Sequence, residues 1–226
     1  VKAFSLNKAG NSSDDSGADY NIIIGNGAGD GVFTSAADNN ILIGKDAGNT
    51  VTSGLENVAI GNTATIGAAV SYTVAIGGTG QDGTATTASI AGAIAIGSGA
   101  RATTARGTIA IGSAGDAAGE IGALATGLGA IAIGSSDASG ATADGASASG
   151  AGAIAIGRTA IAAGANTISI GIGAGNASDD AGSNNNIIIG NGAGDGIFTS
   201  AADDNILIGR DAGNTITSGL ENVAIG

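Results

Sequence analysis

Twelve times along this chain, two β-branched residues flank a third residue and a glycine closes the phrase. The series begins at Ile22-Ile23-Ile24-Gly25, passes through Ile94-Ala95-Ile96-Gly97, and ends at Val223-Ala224-Ile225-Gly226. Its closing glycines lie 14 to 23 residues apart. Alternation with a period of two is the signature of a strand, with the β-branched pair on one face and the middle residue on the other. Nothing between the phrases has a helical pattern, so the strands cannot belong to parallel βαβ units. Short parallel strands stacked as rungs of a coil satisfy every constraint. The expected fold is all-β: a parallel β-roll, or β-solenoid.

The same alternation yields expectations for individual residues. Ile94, Ile96, Ile109, Ile111, Ile131, Ile133, Ile154, Ile156, Ile168 and Ile170 are expected to fill the interior as structural core. Gly97, Gly112, Gly134, Gly157 and Gly171 are expected to make the corners, where a permissive backbone is needed. The middle residue is usually Ala or Ser, and Ala is poor in strands unless a close neighbour needs the room. That small-residue face is therefore expected at the axis of a homotrimer. On this reading, rungs with a bulky middle residue (Ile23, Leu42, Ile188, Leu207) must be wider.

A second, weaker strand phrase precedes some of the strong ones. Ala160-Ile161-Ala162-Ala163-Gly164 leads into Ile168-Ser169-Ile170-Gly171, and Ala146-Ser147-Ala148-Ser149-Gly150 leads into Ile154-Ala155-Ile156-Gly157. Each coil then has an Ala-rich and an Ile-rich strand, and longer spacings are surface excursions. At larger scale, residues 22–61 recur at 187–226 with four changes: Val32 to Ile197, Asn39 to Asp204, Lys45 to Arg210 and Val51 to Ile216. A solenoid tolerates such block copying because each rung contacts mainly its neighbours. The domain reading is a partial coil with an acidic insert over 1–20, then a continuous solenoid over 21–226. A start at Val1 and a stop in mid-motif at Gly226 suggest a window on something longer.

Composition removes whole classes of function. Seven Lys and Arg against nineteen Asp and Glu give a net charge of −12, the wrong sign for nucleic acid or an anionic membrane surface. An acidic coat instead keeps a long fibre soluble. Glycine is abundant without proline or a three-residue period, which excludes collagen. Cysteine and histidine are absent, so there is no thiolate metal site and no histidine base. No apolar run reaches the length of a membrane helix, and no secretion signal is present.

The phrase Ala-x-Ala-x-Gly-x-x-x-Ile-Ala-Ile-Gly resembles the head repeat of trimeric autotransporter adhesins. Asn21-Ile22-Ile23-Ile24-Gly25 and Asn57-Val58-Ala59-Ile60-Gly61 are also similar to repeats in phage tail fibres. The resemblance covers roughly residues 20–226. It implies three chains, each winding a left-handed parallel β-roll, packed around a three-fold axis. The inserts are longer than that family's minimal turn, and neither a heptad-patterned stalk nor a membrane anchor lies in the chain.

Gly25-Asn26-Gly27-Ala28-Gly29-Asp30-Gly31 is a poor dinucleotide fingerprint, because Asp30 holds the third glycine's place and no helix follows. Read as a calcium nonapeptide it places Asp30, and its copy Asp195, at a ligand position, but the motif is not tandem. Asp14-Asp15 and Asp179-Asp180 are the other candidates, for loosely bound calcium at most; no further cofactor is expected. Phe33 and Phe198 occupy equivalent places in the long insert and are expected to anchor it. Lacking histidine, cysteine and aromatic walls, the chain is expected not to be an enzyme. The expected function is an extracellular structural or adhesive fibre on a bacterial surface, binding itself and an unidentified host, surface or matrix ligand. A phage tail fibre is the alternative. A calcium-binding or ice-binding matrix solenoid would instead carry a regular Asp or Thr ladder.

Overall fold

A computed structural model describes residues 4–6, 18–31, 34, 36–80, 83–115, 120–136, 144–175, 182–196 and 202–226. Among these residues there is no helix, and the strands form two parallel sheets. The long sheet has thirteen strands, one per rung, and all neighbours pair in parallel with middle residue over middle residue. It starts at Phe4–Leu6, continues through Ile22–Ile24, Ile41–Ile43 and Val58–Ile60, and ends at Val223–Ile225. The short sheet has six strands of two residues, from Thr65–Ile66 to Ile161–Ala162, and forms the opposite wall of the middle rungs. The chain is therefore an all-β parallel solenoid. Its first rung strand lies before residue 21, within the stretch expected to be a partial coil.

The corners are built from left-handed backbone. Gly97 has φ +117°, and a Cβ there would lie 2.7 Å from the carbonyl of Gly112 on the next rung. Conformation and close stacking thus both require glycine. The same corner recurs at Gly112, Gly134, Gly157 and Gly171, with φ between +127° and +158°.

The interior reverses the expectation for the isoleucines. In strands Ile94–Ile96, Ile109–Ile111, Ile131–Ile133, Ile154–Ile156 and Ile168–Ile170 the middle residue is buried and both flanking isoleucines are only half-buried. The core is alanine: Ala95, Ala110, Ala132 and Ala155 on one wall, with Ala102, Ala125, Ala148 and Ala162 on the other, all fully buried. The two walls approach too closely for β-branched side chains on both, so Ile94, Ile96, Ile109, Ile111, Ile131, Ile133, Ile154, Ile156, Ile168 and Ile170 point outward. The small-residue face is consequently not free to line an axis between chains. It is already covered within one chain.

The bulky middle residues do not widen their rungs, because the far wall yields. Rungs carrying Ile23, Leu42, Ile188 and Leu207 have no short-sheet strand and turn through Gly29, Gly48, Gly194 and Gly213 instead. A Cβ on Gly29 would sit 3.0 Å from Leu42 Cδ1 and 3.2 Å from Ile23 Cδ1. On Gly194 it would sit 3.0 Å from Ile188 Cγ2. Where the long sheet offers only Ala59, the opposite wall supplies buried Ile66. Large faces small on each of these rungs, as dense packing demands.

An asparagine ladder ties the wide rungs together. Asn40 donates its backbone N–H and its Nδ2 to Asn21 Oδ1 at 2.8 and 3.0 Å, and its Nδ2 also reaches the Gly54 carbonyl at 2.9 Å. Its own Oδ1 accepts the backbone N–H and the Nδ2 of Asn57, both at 3.0 Å. The copied block repeats this geometry at Asn186, Asn205 and Asn222. Three of the four block differences also keep their roles. Asn39 and Asp204 both hold φ 59°, a region short polar side chains tolerate. Lys45 pairs with Asp46 and Arg210 with Asp211. Val51 and Ile216 each pack on their own core cluster. The change of Val32 to Ile197 lies outside the described residues.

Candidate functional site

The outward face of the long sheet is its most distinctive surface. Parallel register places the first strand residues in one column and the third in another. The first column is Ile or Val at every rung from Ile22 to Val223, and the second is Ile at every rung from Ile24 to Ile225. Most of these side chains are half-buried by their own ladder neighbours, leaving a continuous apolar stripe. One margin of the stripe is polar and strained. Tyr20, Asn39, Glu56 and Tyr72 follow each other rung by rung in left-handed conformation, and the two tyrosines are 68 % and 61 % exposed. Apolar patches of this extent bounded by polar residues mark interaction surfaces.

The outer face of the short sheet has a different character. Its outward column reads Thr65, Thr87, Arg101, Leu124, Ser147 and Ile161, so it carries no regular Thr or Asp array. A shallow groove of about 300 Å³ lies over its last rungs, with Leu124, Ser147 and Ile161 as floor and Ile121, Asp144 and Thr159 at its sides. Asp144 Oδ1 accepts the Ile121 backbone N–H at 3.2 Å, which ties down one side.

Asp30 and Asp195 sit on equivalent exposed turns. The Asp195 N–H donates to Gly192 O at 3.3 Å and to Asn214 Oδ1 at 3.0 Å. No group of three potential metal ligands occurs among the described residues. Asp14, Asp15, Asp179, Asp180, Phe33 and Phe198 lie outside the described residues. The glycines that suggested a nucleotide fingerprint have structural duties: Gly25 turns the corner at φ +135°, and Gly29 makes room for Ile23 and Leu42.

Two features of these surfaces escaped the sequence reading. The asparagine ladder was signalled by Asn directly before the strand at 21, 40, 57, 186, 205 and 222. The tyrosine margin was signalled only by position: Tyr20 and Tyr72 each stand two residues before a strand, but the residues between them in the column, Asn39 and Glu56, differ in type. Comparison with protein-family models, with curated proteins and with solved structures returns no match.

Proposed function

We propose that this chain is a segment of an extracellular structural or adhesive fibre, assembled as a homotrimer through the outward isoleucine face. The observation that carries the reading is the two-column Ile and Val stripe, uninterrupted over the twelve strands from Ile22–Ile24 to Val223–Ile225. Lipid-facing burial is a poor alternative for a chain of net charge −12. A second and a third copy offer the same stripe at the same rung spacing, so side chains match along the full length of the rod. The repeat phrase, which resembles adhesin heads, supports the same assembly and a place on a bacterial surface. In this role the roll is a rigid spacer, and its inserts display whatever contacts the host or matrix.

Native mass tests the assembly. Light scattering on the purified chain is expected to give three times 20.8 kDa. Ile111→Asp puts a carboxylate on the outward face, where it meets its counterparts across the axis. It is expected to reduce the mass to one chain while leaving the β-sheet circular dichroism intact. A parent protein at single-chain mass would remove the proposal, as would an Ile111→Asp variant that stayed trimeric.

A further inference from the structure

The size matching of the wide rungs is missing at one rung among the described residues. Wherever the turn carries glycine at the position of Gly29, Gly48, Gly194 or Gly213, the facing strand supplies Ile or Leu to fill the space. Gly175 occupies the same position six residues after its strand centre, is buried, and makes the same rung contact: its N–H donates to Ala193 O at 2.9 Å, as that of Gly29 donates to Ala47 O at 2.9 Å. By the six-residue spacing that sets Ile23 against Gly29 and Ile188 against Gly194, Ser169 stands against Gly175, and it lacks the Cγ2 and Cδ1 carbons that Ile188 brings to the next rung. Small faces small here. Ser169 is fully buried, and its Oγ has no hydrogen-bond partner among the described residues.

We infer that the solenoid encloses an internal hydration site at this rung, between Ser169 Oγ and the Gly171–Gly175 turn. A buried hydroxyl without a partner costs free energy, and native interiors meet that cost with a protein group or an ordered water. A purely apolar gap would stay dry, but a hydroxyl beside the polar backbone of a turn supplies the several partners that a buried water requires. The turn has capacity to spare: the Ala174 N–H reaches the Gly171 carbonyl only at 3.4 Å, which leaves that oxygen open to a second donor. The site falls where the alanine-walled rungs give way to the wide rungs, between Ala155 and Ile188 in the ladder. Water there fills a step in cross-section that no side chain among the described residues bridges.

A high-resolution structure of the 226-residue chain, paired with Ser169→Ile, decides the matter. The parent is expected to show ordered density at hydrogen-bond distance from Ser169 Oγ. In Ser169→Ile that density is replaced by side chain, as at Ile188, and the melting temperature is raised by a few degrees or unchanged. A parent map in which Ser169 Oγ donates directly to a main-chain carbonyl, with no density beside it, would overturn the inference. So would a lowered melting temperature for Ser169→Ile, because it would mean that the space is not there.

Discussion

Ala110→Asp is expected to unfold the rung that contains it and to loosen its neighbours. Ala110 is fully buried, lies in register between Ala95 and Ala132, and belongs to a wall that faces Ala102 and Ala125. A carboxylate placed there meets methyl groups and ladder amides that are already bonded. An uncompensated buried charge costs several kcal/mol by general estimates. In a solenoid that loss spreads through nearest-neighbour contacts rather than staying at one residue. Ala110→Ser is the graded comparison, because an unpartnered buried hydroxyl costs about 1–3 kcal/mol, less than a buried carboxylate. Thermal melting and limited proteolysis should show a large drop and new cleavage for the aspartate, and a smaller drop for the serine. Equal behaviour of Ala110→Asp and the parent would show that the alanine face is not the interior. The contrast with Ile111→Asp, one residue along, separates folding from assembly.

Asn40→Ala is expected to destabilise the first wide block by on the order of 3–5 kcal/mol, because it orphans several buried groups at once, each worth about 1–3 kcal/mol when left unpaired. The backbone N–H and Nδ2 of Asn57 lose their acceptor, and the Gly54 carbonyl and Asn21 Oδ1 lose a donor. Asn205→Ala removes the corresponding bonds to Asn186, Gly219 and Asn222 in the copy, so a loss of similar size is expected there. Asn62 is exposed on a corner, and Asn62→Ala should fall within about 0.5 kcal/mol of the parent. Denaturant unfolding of the three variants provides the comparison. If Asn40→Ala behaved like Asn62→Ala, the ladder would not be holding the rungs.

The architecture was legible because a period of two, closed by glycine and repeated at coil spacing, leaves little besides stacked parallel strands. The inside and outside of those strands were not legible. Alternation assigns residues to two faces, and hydrophobicity then suggests that Ile94 and Ile96 belong inside with Ala95 outside. That inference assumes a core wide enough for β-branched side chains. Here the second wall stands so close that only Ala95 and Ala102 fit between the walls, and the larger residues are displaced to the outer surface. The pairing of Ile23 and Leu42 with Gly29 and Gly48 shows the same constraint from the other side. It becomes readable only once the turn is known to lie across from the strand. The face proposed for assembly is thus present in the sequence as the isoleucine pairs, which hydrophobicity alone assigns to the core.

A cryo-EM reconstruction of the assembled rod tests the account most directly. From Ile22–Ile24 to Ile187–Ile189 the long sheet advances nine ladder steps. At about 4.8 Å per step the copied block should recur after roughly 43 Å along the axis. The account predicts this interval, strands running across the rod, and three chains whose isoleucine columns meet at the centre. A single-chain rod with Ile94, Ile96, Ile109 and Ile111 facing solvent, or a block interval far from that length, would contradict it.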